Sequence, residues 1–332
     1  MVVSLTLVII IIGLALIFDF LNGFHDSANA ISTIVVTKAL TPLQAVLLAG
    51  FANFIGYFIF GFAVAATVGK GIVDSSYVTL SIILAALIGA IIWNLITWGL
   101  GLPTSSSHAL IGGLIGSSIA AFGLKSLVFA GIAKVVLFIL LAPLIGMFGA
   151  MIFTVIVLHL SKNSNPFKAQ KFFKKLQLIS ATFYSIGHGT NDAQKTMGII
   201  TLTLFTAGLI STFKVTSTIA LASHLAIALG TTFGGWRIVK TMGTKITKIR
   251  GMEGFCAESS SAFVLFGATH AGIPVSTTHV ITGSIMGVGS IENSRKVKWI
   301  VARKIIYAWI LTIPITALCS ALTYFLISLF IV

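Results

Sequence analysis

Residues 3–38 read VSLTLVIIIIGLALIFDFLNGFHDSANAISTIVVTK. The run begins and ends as an oily segment, yet its middle, NGFHDSANAIST at 22–33, carries His25, Asp26 and Asn29. A charged side chain at the bilayer centre costs roughly 2.5–3.5 kcal/mol on insertion scales, so it is kept there only to face a cavity or a partner. As one helix the segment would be about 54 Å long, against a hydrocarbon core of about 30 Å. A break or a return is therefore expected within it. Gly23 offers the break point, and Gly187 and Gly189 offer it in a later segment of the same kind.

The remaining composition sets the class. Apolar residues make up 57% of the 332-residue chain and charged residues only 8%, where a soluble domain carries about 25%. Runs of about 20 apolar residues recur along the whole length, as a polytopic α-helical membrane protein requires. The net charge of +14 reports topology rather than nucleic-acid binding. Fifteen of the 21 bases fall in 162–175, 237–250 and 295–304, each beside an apolar span, as cytoplasmic loops do. Anionic lipid is a natural contact for such loops. Cys256 and Cys319 stand apart within apolar runs and define neither a disulfide framework nor a zinc site. No Lys or Arg precedes Lys38, so the first run lacks the basic start of a signal peptide and reads as a permanent span.

The chain repeats itself. GFHDSANAIS (23–32) aligns with GTNDAQKTMG (189–198), placing Asp26 over Asp192. LPTSSSHALIGGLIG (102–116) aligns with IPVSTTHVITGSIMG (273–287), and Lys134 and Pro143 fall over Lys304 and Pro314. The organisation expected is a first repeat at 1–160, a basic linker at 161–176 and a second repeat at 177–332. Each half divides into five embedded pieces: 3–38, 41–66, 78–99, 103–121 and 126–160, then 177–211, 215–236, 252–271, 274–291 and 299–331. An odd number of crossings per half inverts the second against the first. The charges agree, since loop 237–250 has five bases and its counterpart 67–77 has Lys70 and Asp74. With the basic loops inside, both termini lie outside. Inverted repeats are a transporter signature. The fold expected is an all-α bundle of about ten embedded segments, some broken or re-entrant.

Two kinds of polar element recur in both halves. Beyond the expected breaks come Asp26 and Asn29, then Asn191, Asp192 and Gln194, whose oxygens suit a hard cation such as Na⁺, or a proton. Pro103 and Pro274 precede Thr104, Ser105, Ser106 and Ser107, and Ser276, Thr277 and Thr278. Hydroxyls beside the free N–H groups of a helix start make an anion cradle. Carboxylates near that cradle repel an anion unless cations are bound, which is a physical reason for symport. A lone Ser/Thr cluster would read as helix capping; recurrence in both halves favours a site. Both a supporting and a binding role stand for His108 and His279. The Gly112/Gly116 and Gly283/Gly287 spacings read as helix packing. Asp19, His159, His224 and His270 read as structural, and Glu258 and Asn94 are further polar candidates near the same layer.

These residues resemble the PiT family of inorganic phosphate transporters. GFHDSANA and GTNDAQKT are similar to its duplicated GxNDxANA signature, and LPTSSSHALIGGLIG, GIPVSTTHVITGSIMG and GGWRIVKTMGTKITKIRGMEGFCAE resemble further family segments. The resemblance spans essentially the whole chain. It implies a phosphate symporter driven by H⁺ or Na⁺, not an enzyme, with inverted repeats and a homodimeric assembly. Asp26, Asn29, Asn191 and Asp192 would form the cation side, ligating Na⁺ if transport is sodium-coupled. Ser105, Ser106, Ser107, Ser276, Thr277, Thr278 and Gln194 would hold phosphate, carried free or as a metal–phosphate complex. The chain departs from the signature at His25, which replaces an Asn, and at Lys195, which stands where Asn29 stands in the first half. An ammonium there would substitute for one bound cation and donate to phosphate. That favours proton coupling, with His25 a candidate carrier titrating near neutral pH. A sulfate permease of the same fold is the nearest alternative; a monoprotonated phosphate donates a hydrogen bond that sulfate lacks, and Asp26 or Asp192 can accept it. A passive channel and an intramembrane hydrolase fit the duplicated carboxylates less well.

Overall fold

A computed structural model describes residues 5–59 and 61–329. Among them are twelve α-helices, and the one β contact is an isolated bridge between Val73 and Leu127. The helices form ten consecutive segments, five per half. The first half holds α1 (Leu5–Val36), α2 (Pro42–Ile55) with α3 (Ala63–Lys70), α4 (Leu80–Leu100), α5 (Ser106–Phe122) and α6 (Phe129–Leu160). The second holds α7 (Pro166–Thr206), α8 (Ser217–Phe233) with α9 (Trp236–Lys240), α10 (Gly251–His270), α11 (Thr277–Glu292) and α12 (Trp299–Ser328).

Local chemistry sets the boundaries. Pro occupies the first turn of α2 and α7, behind the N-caps Thr41 and Asn165, where its missing N–H costs nothing. Thr79 and Thr216 cap α4 and α8 through their hydroxyls. Gly101 ends α4 at φ 66°, a left-handed position that favours glycine. By length and composition α1, α4, α6 and α12 can each cross a membrane, and two bent pairs raise the number to six. Leu137, Leu140, Phe148 and Ile152 of α6, with Ile310, Leu318, Leu322 and Phe325 of α12, are exposed. In a bilayer those faces meet lipid at no desolvation cost.

The halves interlock by exchange. α5 lies along α12 as α11 lies along α6, and α1 packs on α8 as α7 packs on α2 and α3. The glycine pairs make these contacts close. A Cβ on Gly112 or Gly116 would enter the backbone of α12 near Ile313 and Ala317; on Gly283 or Gly287 it would enter α6 at Pro143 and Met147. Even a loop contact recurs: Val128 N–H donates to Ile72 O at 3.0 Å, and Lys298 N–H donates to Ile246 O at 2.9 Å.

The breaks fall elsewhere than expected. α1 runs unbroken through Gly23 and α7 runs unbroken through Gly187 and Gly189. Gly23 lies against the backbone of Ile227 on α8, and Gly189 against that of Asn53 on α2. These two glycines serve helix approach, not unwinding. Neighbouring helices bury residues 22–34 of α1 almost completely, so the polar side chains are met without opening the backbone. The bends occur in the second segment of each half, 88° between α2 and α3 and 60° between α8 and the stretch Trp236–Lys245. Most of the basic linker is helical. Only 161–165 lie outside helix, and 166–176 are the first turns of α7.

Candidate functional site

The site grows from four helices, two per half. α1 and α7 cross the middle and present carboxylates and amides. α5 and α11 are short, 17 and 16 residues, and begin inside the protein, where Thr104, Ser105, Ser276 and Thr277 are all buried. A helix that starts in the interior aims its free N–H groups and the positive end of its dipole at the centre. Both start in the same way: Ser105 Oγ accepts from His108 N–H and Ser276 Oγ from His279 N–H, each at 3.2 Å. The prolines lie two residues ahead of these caps. Pro103 O accepts from Trp309 Nε1 at 2.9 Å.

The expected cation and anion groups meet here. Asn29 Nδ2 donates to Thr278 Oγ1 at 2.9 Å, joining α1 to α11. At the equivalent place in the other half, Lys195 Nζ donates to Ser107 Oγ, joining α7 to α5. That ammonium also contacts Asp192 Oδ1 at 2.5 Å and Val275 O at 3.0 Å. Its shell of carboxylate, hydroxyl and carbonyl oxygens is one that a hard monovalent cation would take. Asp192 Oδ2 accepts from Asn22 Nδ2 and Thr277 Oγ1, both at 3.4 Å. Asp26 Oδ1 lies 2.6 Å from His25 Nδ1, and His25 Nε2 lies 3.2 Å from Thr97 Oγ1 on α4. Asn191 Nδ2 donates to Thr269 Oγ1 at 3.0 Å.

Several buried groups around this centre have an atom left over. Asn22, Asn29 and Asn191 each keep an amide oxygen without a partner, and the hydroxyls of Thr104 and Ser106 have none. Buried polar atoms are normally paired, so these atoms have hydrogen-bonding capacity to spare at this centre. Gln194 is placed differently from the rest of its set. Its Oε1 accepts from Val64 N–H at 2.9 Å and Ala65 N–H at 3.4 Å, capping α3 away from the hydroxyl cradle. His108 and His279 meet at 4.8 Å between ring centroids, and His279 stacks on Trp309 at 3.9 Å. Together they brace the two interior helix starts against each other.

His188 is absent from the residues singled out by sequence. Asp26, His188 and Asp192 can each bring one ligand atom to within 4.8 Å of the others. The repeat held the signal: extended back by one residue, the first alignment sets Asn22 over His188, and both side chains approach Asp192 Oδ2. Glu258 forms a separate buried centre. It accepts from Thr33 Oγ1 and Ser180 Oγ at 2.5 Å and from Gln177 Nε2 at 2.9 Å. Asn94 is buried with neither side-chain atom partnered.

The chain is similar to known proteins in sequence and to one solved structure in fold. The PHO4 phosphate transporter family matches residues 22–170 and again 159–320, one match over each half. A protein described as a probable low-affinity inorganic phosphate transporter of Rhizobium meliloti (strain 1021) is 52% identical over 316 residues, covering 95% of both chains. One of the same description from Bacillus subtilis (strain 168) is 46% identical over 330 residues, covering 98% of this chain and 99% of its own. A solved structure described as the sodium-dependent phosphate transporter superposes with a TM-score of 0.88 at 27% identity, covering 98% of this chain and all of the other.

Proposed function

The chain belongs to the phosphate transporter family, and on that premise we propose that it imports inorganic phosphate across the cell membrane by cation symport, with protons preferred over sodium. The repeats 1–160 and 177–332 alternate access around the shared site, with the basic linker inside and both termini outside. The observation that carries this reading is the Lys195 ammonium between Asp192 and Ser107, which ties the acid side of the site to the hydroxyl side. With Asp26 and Asp192 ionised and Lys195 charged, the centre starts near −1, and a phosphate dianion adds two more negative charges. Cations must enter with it. One cation place is already filled by a side chain, and His25 stands against the other carboxylate, which supports a proton at Asp26.

On this reading Ser106, Ser107, Thr277 and Thr278 hold phosphate at the two helix starts, with Ser105 and Ser276 shaping them as caps. Asn29 and Asn191 orient the acid side. The Gln194 cap supports assigning that residue to the bend at α3. The convergence of Asp26, His188 and Asp192 supports trying a metal–phosphate complex as cargo. The dimer and the lipid contacts of the basic loops rest on the resemblance and on charge alone.

The test is uptake of labelled phosphate into proteoliposomes under a proton gradient and a sodium gradient imposed separately, with excess sulfate as competitor. Accumulation under the proton gradient alone, indifferent to sulfate, is the expected result. Accumulation only with sodium overturns the proton preference. Strong competition by sulfate moves the chain to a sulfate permease of the same fold. A stimulation by added Mg²⁺ that saturates with phosphate would identify the complex as cargo.

A further inference from the structure

Asp19 stands seven residues before Asp26, about 10 Å of helix rise toward the start of α1. Asn22 lies between them, and the spacing of three and four puts all three on one face. Asp19 is fully buried, and neither carboxylate oxygen has a hydrogen-bond partner. The other buried acids of the bundle are all met: Asp26 by His25, Asp192 by Lys195, Glu253 by the Arg250 N–H, and Glu258 by Thr33, Gln177 and Ser180. Across from Asp19 on α7 lies Thr196, whose buried hydroxyl is near enough to act on the carboxylate without closing a hydrogen bond to it. Asp192 and Lys195 act on Asp19 through their charges.

Other elements bring nothing to neutralise it. α2 and α4 contain no titratable side chain, and α8 contains only His224, whose Nδ1 is engaged with Asn53 O at 3.0 Å. α9, α10 and α11 meet α1 from Phe24 onward, through Gly235, Glu258 and Thr278. The duplicated frame does not require an acid here either. The repeat counterpart is Ser185, whose hydroxyl bonds to its own helix at Ala181 O. A lone buried carboxylate costs several kcal/mol, and an intramembrane acid without a structural partner points to an ion pathway.

We propose that Asp19 and Thr196 form a binding place for the coupling cation, lying between the outer face and the Asp26–Asp192 pair. In the proton case the cation joins a carboxylate oxygen, and the resulting O–H donates to Thr196 Oγ1. Asn22, already donating to Asp192 Oδ2, lies on the way inward. This rests on the symport reading above and adds to it a place where the cation waits before phosphate arrives.

The experiment compares two activities of the same reconstituted protein: accumulation of labelled phosphate driven by a proton gradient, and phosphate–phosphate exchange at equal pH, which needs no net cation movement. Asp19→Asn is expected to lower accumulation at least tenfold while exchange stays within about twofold, with partial recovery of accumulation in Asp19→Glu. Asp19→Ser carries the same comparison if the amide variant does not purify as a single species. Undiminished accumulation in the variants overturns the proposal, and so does parallel loss of exchange and accumulation. If the wild type accumulates phosphate only under a sodium gradient, the proton preference fails. The same comparison run under sodium then decides on Asp19 separately.

Discussion

The two junctions between the crossing helices and the short interior helices are alike in geometry and unlike in charge. At one, Asn29 of α1 reaches Thr278 of α11; at the other, Lys195 of α7 reaches Ser107 of α5. Duplication supplied one frame twice, and the side chains then diverged within it. The acids diverged as well, since Asp26 is faced by an imidazole and Asp192 by an ammonium. The same frame therefore sets an imidazole nitrogen against one acid and an aliphatic ammonium against the other.

Making the junctions alike should have the largest effect. Lys195→Asn leaves Asp192 buried without its ammonium. Proton-driven phosphate uptake in proteoliposomes should fall by about two to four orders of magnitude, the scale of breaking a buried ion pair at about 3–5 kcal/mol. Sodium should stimulate what remains. Unchanged ion dependence would mean that Lys195 is not a stand-in cation. The next effect separates the acids by stability. Asp192→Asn strands a buried lysine and should cost about 3–5 kcal/mol. Asp26→Asn leaves a histidine able to be neutral and should cost about 1–2 kcal/mol. Thermal unfolding in detergent should rank them in that order, and equal losses would erase the distinction between the junctions.

Smaller changes probe what the halves share. Gly116→Ala and Gly287→Ala each push a methyl into a facing helix backbone, and each should destabilise by about 1–3 kcal/mol. A large difference between them would show that α5–α12 and α11–α6 are not equivalent. The smallest effect is expected from Thr278→Ala, which removes the acceptor of Asn29 and should weaken phosphate binding about fivefold, near 1 kcal/mol. Ser107→Ala, which takes an acceptor from a charged donor, should cost more. Isothermal titration with phosphate reads both.

The sequence made much of this legible because duplication doubles every signal. One Asp in an apolar run is ambiguous, whereas Asp26 over Asp192 and His108 over His279 mark equivalent places in the two halves. The hydroxyl clusters at the starts of α5 and α11 were visible for the same reason, as was the packing role of the GxxxG pairs. Breaks at Gly23 and Gly189 were a misreading with a clear cause. A glycine that lets a helix unwind and one that lets two helices touch are identical in sequence, and only the facing residues Ile227 and Asn53 distinguish them. His188 was passed over because its counterpart is Asn22, so the pair shares a target without sharing a residue type. Asp19 looked structural because nothing in one dimension reveals that its oxygens lack partners.

α7 runs from the basic linker through Asp192 and Lys195 without interruption. In mechanical terms it is a lever with the linker end as its handle. Lys168 is exposed near its start, about 36 Å along the helix from Asp192. Any tilt of the acid-bearing face is transmitted to that handle with its angle preserved and its displacement enlarged. On the alternating-access reading, the bends between α2 and α3 and after α8 would be the bearings for such a rod.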